Sequence, residues 1–249
     1  MNKVAIVTGS SSGIGAATAL ELARRGWRIV VNYAKSAGPA REVAAQCGEA
    51  IAVQADVGQD AACRRLAQAA LDRWGRIDAL VNNAGATKFV PHPKLDELSD
   101  EDFLRIYRVN VVAAFQMTRA CAPALKAARG AVVNVSSLAS FLGTGSSIAY
   151  AASKGALNTL TQSLARVLGP EVRVNAVLPG VVDTPWMTAG YGAERFRELA
   201  ERYAANAPLK STCRPEDIAE TIGWLIEGGK MITGETVFVD AGFHLATPR

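Results

Sequence analysis

Short apolar runs rich in valine and isoleucine recur along the chain, and longer amphipathic stretches separate them. The runs cover residues 3–8, 27–33, 50–54, 77–82, 130–136, 172–177 and 236–240. Unbroken apolar runs of this kind are typical of strands in a parallel sheet that is covered on both faces. The intervening stretches have the length and periodicity of helices. The alternation of strand and helix predicts an α/β fold with a doubly wound sheet.

Two local signals mark where predicted helices begin, and one segment breaks the alternation. Ser99 with Asp102 three residues later resembles a capping box, and Pro215 stands where a first helical position is expected. Residues 185–212 are the least strand-like part of the chain and separate the sixth and seventh predicted strands. We expect this segment to form a mobile substrate lid.

The composition suits one compact domain over residues 1–249. The chain is 49% hydrophobic and 20% charged, which provides a sizeable core without a signature of disorder. Its formal charge of +4 is spread along the chain without a basic block. The charge pattern therefore indicates neither a nucleic acid nor a membrane surface as a partner, whereas anionic small molecules remain possible.

Cysteine and histidine placement gives no sign of a metal centre. The four cysteines show no paired close spacing, and the chain has only two histidines. The sequence therefore suggests neither a zinc site nor a disulfide framework, and it predicts free thiols in a reducing compartment. The first apolar run is too short for a signal peptide, and no run reaches the roughly 18 residues of a membrane span. We expect a cytoplasmic protein.

A glycine-rich loop follows the first predicted strand and opens an amphipathic helix. Gly9, Gly13 and Gly15 stand in the stretch TGSSSGIG. Glycine there lets backbone amides approach a phosphate, and the helix N-terminus adds partial positive charge. The spacing differs from the commoner G-x-G-x-x-G pattern, but its place after a first strand predicts a dinucleotide-binding loop.

The end of the second predicted strand bears on which dinucleotide is bound. An acid at that point would bond a ribose 2′-hydroxyl and repel a 2′-phosphate. Here Asn32 and Tyr33 occupy the position and Lys35 follows, so a 2′-phosphate would meet a cation. The glycine loop itself contains serines and no basic residue. The sequence favours NADP(H) and leaves NAD(H) possible.

Tyr150 and Lys154 stand four apart in YAASKGAL, a stretch that reads as helix. At that spacing both side chains lie on one helical face, where an ammonium can lower the pKa of a phenol. A phenol tuned in this way can donate and accept a proton near neutral pH.

Seven motifs together resemble the short-chain dehydrogenase/reductase family. They are TGSSSGIG at 8–15, ADV at 55–57, NNAG at 82–85, RVN at 108–110, NVSS at 134–137, YAASK at 150–154 and PGVVDT at 179–184. The resemblance covers nearly the whole chain. It implies a single Rossmann domain with a seven-stranded parallel sheet, usually a homotetramer, that transfers hydride between a nicotinamide and a carbonyl or alcohol.

The same resemblance implies a catalytic tetrad. Its members are Asn110, Ser137, Tyr150 and Lys154; Ser137 is preferred over Ser136 because it stands thirteen residues before Tyr150. Tyr150 would exchange a proton with the substrate oxygen, Lys154 would stabilise the phenolate, and Ser137 would align the carbonyl. Asn110 would hold a water near Lys154 in a proton relay.

The resemblance also implies a cofactor-binding set. Within it, Asp56 and Val57 would contact the adenine, Thr184 would hold the nicotinamide carboxamide, and Val181 or Val182 would border that ring. The full set is Gly9, Ser11, Ser12, Gly13, Ile14, Gly15, Asn32, Tyr33, Lys35, Asp56, Val57, Asn83, Ala84, Gly85, Pro179, Gly180, Val182 and Thr184.

The substrate is less well defined by the sequence. The pattern looks most like 3-oxoacyl-[acyl-carrier-protein] reductases and related ketoreductases, with a 3-oxoacyl thioester or a small ketone as substrate. Sugar or polyol dehydrogenases share much of the pattern and are the alternative. A non-catalytic dinucleotide-sensing regulator is a hypothesis of a different class, but a sensor has no need of the tetrad.

Two further sets of residues bear on the substrate. An acidic carrier protein would need a basic docking surface, and the candidates are Lys126, Arg129, Arg166 and Arg173, although a solvated helix face explains them equally well. In the lid, Trp186, Met187, Tyr191 and Phe196 would either cover the substrate or pack the lid against the domain.

Overall fold

All seven predicted strands form, and they build one parallel sheet. The structure is a computed structural model that describes residues 3–246. The sheet order is β3-β2-β1-β4-β5-β6-β7, and every neighbouring pair is parallel. The strands are β1 (Val4–Val7), β2 (Arg28–Tyr33), β3 (Ala50–Gln54), β4 (Ala79–Asn82), β5 (Ala131–Val135), β6 (Arg173–Pro179) and β7 (Thr236–Val239).

Helices connect the strands and cover both faces of the sheet. The α-helices are α1 (Gly13–Arg24), α2 (Ala37–Gln46), α3 (Asp60–Trp74), α4 (Asp100–Tyr107), α5 (Ala113–Ala128), α6 (Ala139–Leu142), α7 (Ile148–Leu168), α8 (Pro185–Tyr191), α9 (Ala193–Asn206) and α10 (Pro215–Glu227). A π-helical turn, Arg108–Val112, joins α4 to α5, and 3₁₀ turns occur at Leu95–Glu97 and Phe243–Leu245. None of the helices described between residues 3 and 246 is both long and apolar enough to cross a membrane.

The apolar side chains of β1 to β5 alternate between two apolar cores. In β1, Ala5 and Val7 point into one core while Val4 and Ile6 point into the other. Each core holds two of the four cysteines: Cys47 and Cys213 in the first, Cys63 and Cys121 in the second. All four are buried free thiols.

The strand order reverses between β1 and β4, because the chain first builds the sheet outward to β3 and then returns to the other side of β1. In open α/β sheets, a ligand binds at the carboxyl ends of the strands where this reversal occurs. The topology therefore places the candidate site above the ends of β1 and β4.

The predicted helix starts are confirmed. The Ser99 side chain accepts from the Asp102 amide, and the Asp102 carboxylate accepts from the Ser99 amide, which completes a capping box at α4. Pro215 is the first residue of α10. The segment expected to break the alternation contains α8 and α9, which meet at Gly192 with φ +81°.

Candidate active site

The glycine loop between β1 and α1 lies directly against the segment that follows β4. Gly9 has φ +60°, and a Cβ there would lie 2.9 Å from Cα of Ala84. At Gly15 a Cβ would lie 2.5 Å from Nδ2 of Asn83. Both distances are shorter than side chains tolerate, so glycine at these positions is what lets the two segments meet.

The loop leaves the amino terminus of α1 open to an anion. Ser12 is the N-cap residue, but its side chain makes no capping bond within the described chain, and the first turn contains no acid. Gly13 and Ile14 of that turn line the cleft described below. Free amide groups and the positive end of a helix dipole bind phosphate. The loop and the helix therefore fit the pyrophosphate of a dinucleotide.

Asn32 at the end of β2 stabilises this loop. Its Oδ1 accepts a hydrogen bond from the Gly9 amide at 3.0 Å, and its Nδ2 donates to the carbonyl oxygens of Val53 and Ala55 at 3.3 and 3.0 Å. The residue is 1% exposed. Asn32 lines the cleft, as its place in the cofactor-binding set requires, but its amide is committed to hydrogen bonds within the protein.

A cleft of about 930 Å³ extends over the carboxyl ends of the strands. That volume suits a large small-molecule ligand. Of the predicted site residues, only Gly15, packed beneath the loop, and Asn110, behind Gly85, do not line it. The predicted residues that the cleft brings together are Gly9, Ser11, Ser12, Gly13, Ile14, Asn32, Tyr33, Lys35, Asp56, Val57, Asn83, Ala84, Gly85, Ser137, Tyr150, Lys154, Pro179, Gly180, Val182 and Thr184.

One end of the cleft is formed by the residues that follow β2 and β3. Tyr33 is buried, whereas Lys35 is exposed, and its ammonium has no hydrogen bond or ion pair to any residue in the described range 3–246. Asp56 is the only acid among the described lining residues, and it follows β3. A cation without a partner therefore stands at the end of β2, where an acid would select against a 2′-phosphate.

The opposite part of the cleft contains the three predicted catalytic side chains that line it. Tyr150 and Lys154 lie on α7, whose first turn is fixed by Ser147 accepting from the Tyr150 amide at 3.3 Å. The Lys154 ammonium donates to the Val135 carbonyl oxygen at 2.7 Å and lies 5.6 Å from the centroid of the Tyr150 ring. The predicted sharing of one helical face is confirmed.

Ser136 and Ser137 lie side by side after β5 but have different environments. The Ser136 hydroxyl donates to the Lys154 carbonyl oxygen at 3.1 Å and is 3% exposed. Ser137 is half-buried and accepts a hydrogen bond from the Ala139 amide. Its side chain also forms a hydrogen bond with Tyr150 that acts to lower the pKa of the phenol. The geometry therefore favours Ser137 over Ser136 as the group that faces a substrate.

Burial dominates the ionisation of the catalytic pair. It raises the pKa of Tyr150 to about 12, although the Ser137 side chain acts in the opposite direction, and Tyr191 raises it further. Burial also lowers the pKa of Lys154 to about 8. Lys154 was expected to lower the pKa of the phenol, but the loss of hydration on burial outweighs any such effect.

Asn110 lies in the π-helical turn and is 2% exposed. Its Oδ1 accepts from the Ala86 amide at 2.7 Å, and its Nδ2 donates to the Ala86 carbonyl oxygen at 3.0 Å and to the Ser153 hydroxyl at 2.9 Å. The side chain thus joins the loop after β4 to α7. Both Nδ2 hydrogens are donated within the protein, so this side chain can hold a water only as an acceptor, through Oδ1.

The predicted lid residues divide into two groups. Trp186 and Met187 of α8 line the cleft, and the Trp186 ring lies 5.8 Å from that of Tyr150, centroid to centroid. Phe196 of α9 is 8% exposed and does not line the cleft. Tyr191 contacts Phe89, a half-buried residue that the sequence analysis missed because it belongs to no motif and no periodic segment.

The proposed basic docking surface is wrong in its location. Lys126 and Arg129 end α5, Arg166 lies in the last turn of α7, and Arg173 begins β6. These positions are at the amino ends of the strands, whereas the cleft is at the carboxyl ends, roughly 20 Å away along a seven-residue strand such as β6. The Arg173 guanidinium is also occupied, because it donates to carbonyl oxygens at the end of α10.

Comparison with known proteins extends this picture to the whole chain. A family model described as Enoyl-(Acyl carrier protein) reductase matches residues 9–244. The chain is 44% identical over 243 residues to ketoacyl reductase 2 of the granaticin polyketide synthase of Streptomyces violaceoruber, covering 97% of this chain and 96% of the relative. It is 38% identical over 248 residues to a 3-oxoacyl-[acyl-carrier-protein] reductase of Synechocystis, covering 96% of each.

A solved structure agrees with the fold. The crystal structure of a short-chain dehydrogenase/reductase from Burkholderia xenovorans superposes with a TM-score of 0.91 at 44% identity, covering 98% of this chain and 99% of the other. Fold, cleft and full-length similarity point to the same family. The chain therefore belongs to the short-chain dehydrogenase/reductase family, as an oxidoreductase that acts on CH–OH and C=O groups with a nicotinamide dinucleotide.

Proposed function

We propose that the protein is an NADP(H)-dependent ketoreductase that converts a carbonyl to a secondary alcohol, with Tyr150 as general acid. The observation that carries the proposal is the convergence of Ser137, Tyr150 and Lys154 on the cleft that the glycine loop opens. The substrate class is a 3-oxoacyl thioester or a small ketone. The names of the two curated relatives, both ketoacyl or oxoacyl reductases, support it.

The side chains divide the reaction among them. When bound, the dinucleotide supplies the hydride that reaches the carbonyl carbon. The Tyr150 hydroxyl donates its proton to the carbonyl oxygen, and the Ser137 hydroxyl donates a hydrogen bond to the same oxygen and so aligns the carbonyl. Lys154, held by the Val135 carbonyl oxygen, places positive charge near the phenolate that remains.

Asn110 supports this arrangement from behind. Its bonds to Ala86 and Ser153 fix the loop after β4 against α7, one residue before Lys154. We propose that Asn110 acts as a positioning residue through these bonds.

The preference for NADP(H) rests on the rim of the cleft. The Lys35 side chain is exposed and unpaired among the described residues. Asp56, the acid in the cleft lining, follows β3 rather than β2. A 2′-phosphate would gain a charge-assisted contact with Lys35 and meet no carboxylate from β2. Thr184, the residue before α8, and Val182 lie at the other end, where they would border the nicotinamide; Val181 packs away from the cleft.

We also propose that residues 185–212 form the lid of a single domain and that the chain assembles as a homotetramer. α8 supports the lid, because Trp186 and Met187 cover the end of the cleft next to Tyr150. Two separate sets of exposed apolar side chains support the assembly. The first consists of Leu104 on α4, Val112 in the π-helical turn and Phe115 on α5, and the second of Trp224 in α10 and Met231 after it.

The test is the initial rate of acetoacetyl thioester reduction with NADPH and with NADH. We expect faster turnover with NADPH, and a loss of at least about 100-fold in kcat for Tyr150→Phe, because the general acid is removed. Tyr107→Phe, a half-buried tyrosine outside the cleft, is the matched control and should retain the wild-type rate. Full activity in Tyr150→Phe would refute the assignment.

A second pair of variants tests the preference for NADPH over NADH separately from the catalytic step. Lys35→Glu should raise the KM for NADPH by about tenfold and leave the KM for NADH nearly unchanged, since only NADPH has the 2′-phosphate. Lys126→Glu makes the same charge change at the opposite edge of the sheet and should alter neither KM. Equal effects of Lys35→Glu on both cofactors would contradict the NADP(H) preference.

A further inference from the structure

Three aromatic side chains meet at the end of the cleft that contains Tyr150. Phe89 lies 5.5 Å from Trp186 and 4.8 Å from Tyr191, measured between ring centroids, and the Phe89 and Tyr191 rings meet edge to face. Trp186 in turn lies 5.8 Å from the catalytic phenol. Phe89, Trp186 and Tyr191 are called the aromatic wall below. The wall ends at the group that would donate the proton.

A glycine fixes the wall in place. A Cβ at Gly190 of α8 would lie 2.0 Å from the Phe89 ring, so the ring packs directly on the helix backbone. No larger residue at position 190 permits this contact without displacing the ring. The loop after β4 and helix α8 are thereby joined through the wall. Its rings are held by packing, which lowers the entropic cost of binding a ligand to them.

The wall is accessible to a ligand. Trp186 lines the cleft and is 41% exposed, whereas Phe89 and Tyr191 are half-buried beside it and do not line the cleft themselves. An indole that borders a cleft and keeps this much exposure has apolar area still available for contact. A ligand that reaches Tyr150 from this side must pass along the Trp186 ring.

One charged side chain contacts the wall directly: the Arg195 guanidinium lies over the Tyr191 ring, 5.8 Å from its centroid. The other charged groups lie in the lining of the cleft. The charged residues Lys35 and Asp56 line the other end of the cleft, after β2 and β3. Arg105 lies at the rim, where its guanidinium contacts the Thr87 carbonyl oxygen at 3.4 Å and the Asp102 carboxylate at 3.6 Å. Within residues 3–246, the other charged lining group is Lys154, bonded to Val135. A polyol would leave several hydroxyl groups without partners here, whereas a flat apolar ring would not.

We propose that the aromatic wall is a ring-binding subsite and that, within the small-ketone part of the proposed substrate class, ketones carried on or fused to a planar ring are preferred over straight-chain ketones and sugars. This inference rests on the proposed ketoreductase function, because the carbonyl is the group that Ser137 and Tyr150 hold. The Trp186 and Tyr150 rings are in contact, with 5.8 Å between their centroids, so a planar ring bound against the exposed part of Trp186 would lie next to the phenol. The wall contributes stacking and edge-to-face contacts to the ring itself.

The experiment compares a fused bicyclic ketone, 2-tetralone, with a straight-chain ketone, ethyl acetoacetate, under the same saturating NADPH. We expect wild type to have the higher kcat/KM for 2-tetralone. Trp186→Leu keeps an apolar side chain but removes the ring, so the ratio of the two kcat/KM values should fall about tenfold, mainly through the KM for 2-tetralone. Trp186→Phe should restore most of the ratio.

Controls distinguish a loss of ring binding from a general loss of stability and from a loss of ketoreductase activity. Trp74→Leu removes a tryptophan at the end of α3, far from the cleft, and should leave both kcat/KM values unchanged. If wild type reduces ethyl acetoacetate in a Tyr150-dependent way but prefers it to 2-tetralone, the ring subsite is wrong and the ketoreductase function stands. An unchanged ratio in Trp186→Leu also overturns the subsite.

A binding measurement covers the case in which neither ketone is reduced, which would count against the proposed function. Calorimetric titration with 2-naphthol, a planar non-reacting ring, then tests the wall alone. The subsite requires the Kd to rise about tenfold in Trp186→Leu and to stay unchanged in Trp74→Leu. Equal Kd values in wild type and Trp186→Leu would reject the subsite whatever the catalytic outcome.

Discussion

The catalytic phenol and its neighbouring amine share one buried corner, and burial shifts their pKa values in opposite directions. It raises the pKa of Tyr150 to about 12, which keeps the phenol protonated throughout the neutral range, as a proton donor requires. It lowers the pKa of Lys154 to about 8, so the amine becomes neutral only slightly above physiological pH. The phenol is therefore in the protonated form from which it can donate to a carbonyl oxygen.

This shift makes the stability of the chain depend on pH. Between pH 8 and about 10.5 the unfolded chain binds a proton at Lys154 that the folded chain has lost, so the free energy of unfolding rises with pH. The rise cannot exceed about 1.4 kcal/mol per pH unit, and the opposing shift of Tyr150 acts only above about pH 10. Lys154→Met removes the titrating group.

Urea unfolding without cofactor at pH 7.5 and 9.5 measures the effect. The free energy of unfolding of wild type minus that of Lys154→Met should be about 1–2 kcal/mol larger at pH 9.5. A difference that stays constant or becomes smaller would show that the amine is not desolvated in the folded chain. Lys126→Met, in the last turn of α5, controls for the loss of a lysine as such.

Single residues also show which parts of the candidate site sequence motifs predict and which they do not. The motifs correctly indicated side chains that line one cleft, because loop glycines and strand ends are fixed by backbone geometry that short motifs encode. Asn32 and Asn110 show what motifs omit: both amides bond to backbone groups brought near only by folding. Phe89 gave no signal, since its role depends on Gly190, about 100 residues further along the chain.

At the scale of elements, one arginine joins β6 to the end of α10. The Arg173 guanidinium donates to the carbonyl oxygens of Leu225 at 2.7 Å, Ile226 at 2.8 Å and Gly229 at 3.3 Å. These carbonyl groups belong to the end of the helix and the turn after it, where backbone acceptors lack helical partners. A cation there also interacts favourably with the helix dipole.

We expect Arg173→Leu to lower the free energy of unfolding by roughly 2–3 kcal/mol, because it leaves partly buried carbonyl groups unpaired. Arg166→Leu removes an exposed arginine from the same edge of the sheet and should stay within about 0.5 kcal/mol of wild type. Chemical denaturation of both variants gives the comparison. Equal losses would mean that the three contacts contribute nothing specific.

Elements differ in how well the sequence predicted them. The seven strands were found because strands buried on both faces are unbroken apolar runs, and the two helix starts because caps are local. The π-helical turn at Arg108–Val112 was not predicted, since a shift from i+4 to i+5 bonding has no simple sequence signal. The division of the lid into α8 and α9 depends on Gly192, one glycine among many.

At the scale of the whole molecule, the structure shows at which edge of the sheet the basic docking candidates lie, which the sequence did not indicate. The basic candidates for docking lay on or near predicted helices, and the helices in this fold run antiparallel to the strands. Their last turns therefore lie at the edge opposite the site. A linear reading cannot distinguish the two edges without the strand direction, which is why Arg173 was mistaken for a surface group.

The proposed tetramer leads to a test on intact particles. Light scattering at micromolar concentration should give four times the 26.2 kDa chain mass. Val112→Glu and Trp224→Glu each place a charge in one of the two exposed apolar sets, and each should yield dimers, because the other set still pairs. Leu95→Glu, exposed but outside both sets, should remain tetrameric. A monomeric wild type would rule out the assembly.

The positions of the four buried cysteines allow local unfolding of the two sheet faces to be followed by the rate of thiol alkylation. Burial raises the pKa of Cys47, Cys63 and Cys213 to about 11 and that of Cys121 to about 12, so the folded chain presents almost no thiolate to an alkylating reagent. Labelling must then wait for each thiol to be uncovered. Because each sheet face holds two of them, the order in which they react reveals which layer of helices detaches first.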